Sequence, residues 1–130
     1  MENKSNEATP LRPEGDRTID AKLVTMNLNQ FIDQIKSETT WKDSDRNSIT
    51  IFKSEDMTIV LMGLHENAEL KTHTAKGIIT LQVLKGEITF TTGEQTVALK
   101  KGEMLALHKN IPHSLIAVEE TFCLLTLAVT

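Results

Sequence analysis

Ile78-Ile79-Thr80-Leu81-Gln82-Val83-Leu84-Lys85-Gly86-Glu87-Ile88-Thr89-Phe90-Thr91 is the stretch whose reading decides the fold. Before Gly86, apolar residues at 79, 81 and 83 alternate with Thr80 and Gln82; after it, Ile88 and Phe90 alternate with Thr89 and Thr91. A period of two belongs to a strand with one buried face, and a glycine between two such runs is punctuation. Outward from there, Gln95 to Leu99 is expected to pair with Glu87 to Thr91 across Thr92-Gly93-Glu94. Upstream, Ile49 to Phe52 and Thr58 to Met62 flank a Ser54-Glu55-Asp56 turn. Downstream, Met104 to Leu107, His113 to Val118 and Phe122 to Val129 read as further strands. Short strands at near-regular spacing predict an all-β sandwich or barrel.

The N-terminal part differs. Residues 1–17 hold Pro10, Pro13 and Gly15 among many charges, and are expected to form a flexible tail ahead of a single domain over 18–130. Ile19 to Met26 is β-like, giving a short N-terminal strand. Asn29 is read as an N-cap for a helix over 30–38, with Leu28, Phe31, Ile32 and Ile35 on its apolar side. Lys42 to Asn47 reads as a polar loop, and His65 as a solvent-facing turn residue.

The chain has 130 residues, 39% of them hydrophobic, which suits one modest core. Its net charge of −4 argues against a nucleic-acid surface. The longest apolar run, Phe122 to Val129, is too short for a membrane-spanning helix. No apolar leader segment follows Met1, and Cys123 is the only cysteine. These features predict a cytoplasmic protein in a reducing compartment, with no nucleic-acid or membrane partner.

Two segments carry a more specific message: His73 to Glu87, and Gly102-Glu103-Met104-Leu105-Ala106-Leu107-His108-Lys109-Asn110-Ile111-Pro112-His113-Ser114. Together they resemble the two motifs of the cupin superfamily, with the likeness running from about residue 58 to 129. The resemblance implies a cupin-type jelly-roll β-barrel or sandwich. It also implies where metal ligands would stand in such a protein, namely three histidines and one glutamate. Aligned on Gly86, the first histidine position is His73, while the second falls on Ala75 and the glutamate on Ile79. Aligned on Gly102, the last histidine is His113. The second motif's proline and glycine become His108 and Asn110, and its final asparagine becomes Ala117. Two of four ligands survive.

Strand parity supports the same accounting without the family. Ile79, Leu81 and Val83 share a face, the one expected to line the barrel interior together with Ile88, Phe90 and Leu107. An isoleucine at 79 offers a metal no donor. His73 and His113 are therefore either residual metal ligands (Zn²⁺, Ni²⁺ or Fe²⁺) or pocket histidines hydrogen-bonded to backbone or water. His108 is either a replacement ligand at the barrel mouth or an exposed loop residue. On a regular strand, Glu69, Lys71 and His73 share parity, either as a supplementary acid–base set or as a solvated ion pair beside the histidine. Cys123 sits among apolar neighbours and reads as a small hydrophobe. Ser114 faces away from His113, so no hydrolase triad forms from this pair.

The residues thus lead to a small cupin-type protein holding a small organic ligand in a mostly apolar cavity, with His73, His113, His108, Ile79 and Leu81 as the site. The alternative is a divalent-metal-dependent dioxygenase or isomerase completed by a ligand outside the motifs. A weakly bound divalent metal and a homodimer are further expectations; Phe122 to Leu127 is apolar on both faces, which leaves one face to pack against the N-terminal helix or a second chain.

Overall fold

The computed structural model describes residues 4–6 and 17–129. Most of the chain after residue 45 is strand, and no helix is found there among the described residues. β3 (Arg46–Lys53), β4 (Met57–Leu64), β6 (Ile78–Lys85), β9 (Met104–Leu107) and β11 (Thr121–Ala128) form a five-stranded antiparallel sheet in the order β3-β4-β11-β6-β9. β5 (Glu69–His73), β7 (Glu87–Thr92), β8 (Thr96–Lys100) and β10 (His113–Ala117) form the second, in the order β5-β10-β7-β8. The two antiparallel sheets face each other as an all-β jelly roll.

The period-two reading explains which residues fill the interior. Ile79, Leu81 and Val83 on β6 and Ile88 and Phe90 on β7 are all buried. Leu81, Val83, Ile88 and Phe90 meet Met62, Leu64, Leu99, Leu115, Ala117 and Cys123 to make the core between the sheets. Gly86 joins β6 to β7 at φ +95°, and a Cβ there would lie 2.4 Å from the Glu120 carbonyl oxygen. Only glycine suits that turn.

A second core lies on the outer face of the five-stranded sheet. Ile32 and Ile35 of α1 (Leu28–Ser37) and Trp41 of α2 (Thr39–Asp43) pack on Ile49, Ile51, Leu61 and Phe122. This accounts for the two apolar faces of β11, since Phe122 and Leu124 face the helices while Cys123 and Leu125 face the barrel. Asn47, buried beneath α1, donates to the Ile35 carbonyl and to Glu38 Oε1 and so satisfies its amide there.

Several local expectations need correction. The helix starts two residues earlier than expected, and Asn27 rather than Asn29 caps it, its Oδ1 accepting from the Gln30 amide at 3.1 Å. The stretch from 21 to 27 is not strand; the strand there is β2 (Arg17–Asp20). Of the expected polar loop from Lys42 to Asn47, residues 42–43 belong to α2 and residues 46–47 to β3, so only 44–45 connect the two. β2 pairs with β1 (Lys4–Asn6), which falls inside the segment expected to be a tail, as does Arg17 of β2; residues 1–3 and 7–16 lie outside the described residues. No helix among the described residues is long and apolar enough to cross a membrane.

Candidate functional site

The site is built where β5 and β10 pair. His73 and His113 are direct partners across that ladder, and their rings meet edge-on, with centroids 4.3 Å apart and planes at 60°. His113 is buried, and its ring stacks on Phe90 at 5.4 Å and 16°. His73 is exposed at the rim. Each imidazole is held the same way: Nδ1 of His73 lies 2.7 Å from the Lys71 carbonyl oxygen, and Nδ1 of His113 lies 2.8 Å from that of Ile111. A carbonyl only accepts, so Nδ1 carries the proton in both rings, and the neutral imidazole keeps its lone pair on Nε2. Neither Nε2 has a hydrogen-bond partner among the described residues.

The two rings line a cavity of about 440 Å³ whose other walls are mostly apolar, including Ile79, Leu81, Phe90, Leu125 and Leu127. Such a volume lies in the range of small-molecule sites. Thr74, Ala75 and Lys76 complete the lining. The expected site residues His73, His113, Ile79 and Leu81 are thus brought together.

Others are not. His108 follows Met104 and Ala106 on the outward parity of β9, is exposed, and lines neither this cavity nor the one beside it. Leu107 lines the neighbouring cavity instead, while Val83 and Ile88 lie in the core between the sheets. The trio Glu69, Lys71 and His73 is split by a bulge. Leu70 pairs with Leu115 and His73 with His113, so three steps along β5 match two along β10. The extra residue reverses parity. Leu70 therefore shares the cavity lining with His73, whereas Glu69 and Lys71 are exposed and line neither cavity.

His65 also differs from expectation. It is half-buried, stacked on Trp41 with centroids 3.6 Å apart, and its Nε2 lies 2.8 Å from the Trp41 carbonyl oxygen. Nothing in the local sequence signals this contact, because the partners are 24 residues apart. Cys123 is buried in the core, and burial pushes its thiol up to about 12. A thiol so placed is no nucleophile at neutral pH.

The donor set decides how far a resident metal suits the site. Ala75 and Ile79 both line the cavity, and neither carries a donor atom. Among the described residues, no cluster of three or more His, Cys, Asp or Glu side chains is placed to hold a metal ion. Two imidazoles fall short of the three or four protein ligands of a tight site. The residues do not fit a resident divalent metal.

Comparison with known proteins bears on the fold and the family. No curated protein matches this chain. Among solved structures, a conserved protein of unknown function from Streptococcus pyogenes is similar at TM-score 0.65 and 22% identity, over 86% of this chain and 91% of that one. An RmlC-like cupin from Desulfovibrio desulfuricans is similar at TM-score 0.60 and 27% identity, over 66% and 84%. A cupin domain from Schizosaccharomyces pombe is similar at TM-score 0.65 and 18% identity, over 100% and 89%. The family model described as a cupin domain matches residues 60–129, the span that holds both sheets' central strands and both cavity histidines. The chain belongs to the cupin family.

Proposed function

We propose that this protein binds one small organic molecule in the cavity between His73 and His113, through an apolar body and a hydrogen-bond donor. The observation that carries this reading is the pair of Nδ1–carbonyl hydrogen bonds. They turn both rings so that the remaining nitrogens accept, inside a cavity whose walls are otherwise nearly all apolar. A ligand hydroxyl or N–H satisfies those lone pairs. An apolar remainder takes the place of water against Leu81, Phe90 and Leu125, gaining about 25 cal/mol per Å² covered. Two imidazoles alone also give a divalent metal a weak and reversible seat, not a resident one.

The test compares p-cresol with p-xylene, which share shape and differ in one donor. Calorimetric titration is expected to show tighter binding of the cresol to the wild type. His113→Phe, which keeps the ring stacked on Phe90 but removes the acceptor, is expected to abolish the difference. Equal affinity for both compounds in the wild type, or a preference that survives in His113→Phe, overturns the reading.

A further inference from the structure

A second cavity adjoins the first. β8 and β9 are edge strands of different sheets, so no hydrogen-bond ladder closes the sandwich between them. At the rim of this gap, a Cβ added at Gly93 meets nothing within 4 Å. The result is a cavity of about 500 Å³ lined by Val97 from β8, Leu105 and Leu107 from β9, and Ile111 and Pro112 from the loop before β10. Phe90 lines both cavities and is 3% exposed. Its ring, stacked on His113, is the partition between them.

We infer that this second cavity is a separate site for a small uncharged apolar molecule, walled off from the histidines by Phe90. The chemical class follows from the lining. Its polar part, Thr92, Glu94 and Gln95, comes from the β7–β8 turn and the end of β7; Glu94 is the one ionisable residue among them, and it is exposed. It repels an anion, and no buried charge waits to pair with a cation. Apolar side chains from both sheets face the space, which suits burial of a ring or a short alkyl chain. Neither imidazole lines it, so the ligand there needs no donor and no metal. The inference does not depend on what occupies the His73–His113 cavity.

Toluene is the probe, and methyl-resolved NMR of the full chain is the readout. Titration is expected to shift the methyls of Val97, Leu105, Leu107 and Ile111 along an isotherm of its own, distinct from that of Leu81, Leu125 and Leu127. Val97→Trp fills the second cavity and is expected to remove the response of Leu107 and Ile111 while leaving that of Leu125 and Leu127. Leu107→Phe fills the same space from the opposite sheet and serves where Val97→Trp does not fold. Phe90→Ala removes the partition and is expected to merge the two isotherms into one. Silence of the Leu107 and Ile111 methyls at saturating toluene overturns the inference. So does a single shared isotherm in the wild type, or loss of both responses in a folded Val97→Trp or Leu107→Phe protein.

Discussion

His73 and His113 face each other across the β5–β10 ladder, each donating from Nδ1 to the carbonyl of the residue two positions before it. The same local device, used twice on opposing strands, sets both tautomers and leaves Nε2 as the acceptor in both rings that line the cavity. In metal centres a backbone carbonyl behind the ring is what orients a ligating histidine. Here the orienting hydrogen bonds are present, while Ala75 and Ile79 stand where two further ligands are expected from the family resemblance.

Added Ni²⁺ or Zn²⁺ is therefore expected to bind weakly. A site of roughly 100 µM affinity at tenfold excess stabilises the fold by only about 1.4 kcal/mol. Binding weakens in acid, because an imidazolium has no lone pair to give. Titration calorimetry on the wild type and His73→Ala checks this; nanomolar affinity lost in His73→Ala would refute it.

Replacing Ala75 by His and Ile79 by Glu restores donors at both positions. The double variant is expected to bind Zn²⁺ at least a hundredfold more tightly, roughly the step from two ligands to four. Without metal it is expected to be about 3 kcal/mol less stable, since Ile79 is 4% exposed and a carboxylate there loses its water. Urea unfolding with and without Zn²⁺ measures both effects.

Gly86 and Gly102 separate two costs of adding a methyl group. Both have positive φ, +95° and +86°. At Gly102 the Cβ meets nothing within 4 Å, so Gly102→Ala is expected to cost about 1 kcal/mol of backbone strain alone. At Gly86 the Cβ lies 2.4 Å from both the Glu120 carbonyl oxygen and Thr121 Oγ1, so Gly86→Ala is expected to cost about 3 kcal/mol or more. Equal unfolding midpoints for the two variants would contradict this.

Cys123 makes a prediction about alkaline pH. Burial raises its thiol from 9.0 to about 12, so the folded state keeps a proton that the unfolded state releases. The folded form binds more protons between these values, and stability falls as pH rises through that window. Below pH 9.0 the contribution is fully present. Cys123→Ala is expected to be less stable than the wild type at pH 8, from the lost sulfur packing, and to lose less stability between pH 8 and 11. Native protein is also expected to resist thiol-specific labelling until it unfolds.

Some of this was legible in the order of residues alone. The alternation from Ile78 to Thr91 specifies two strands and their buried faces, because side-chain direction along a regular strand depends only on parity. The two-faced apolarity of β11 announces a covering layer, which α1 and α2 supply. The absence of donors at Ala75 and Ile79 is a covalent fact that no packing can alter. It limits the metal chemistry of the site before any coordinate is known.

Tertiary structure decided the rest, and the reason is that each remaining feature depends on a partner strand. The bulge in β5 exists only relative to β10, and it moves Leu70 beside His73 while turning Glu69 and Lys71 outward. Periodicity counts residues along one chain and cannot register an extra one across a ladder. His65 reaches Trp41 across 24 residues, and the second cavity opens because the edges of two sheets do not join. Sequence by itself determined most of the strands after residue 45, the faces they bury and which donors are missing. Only the packing of one sheet against the other decided which side chains share a cavity, and that Phe90 divides it.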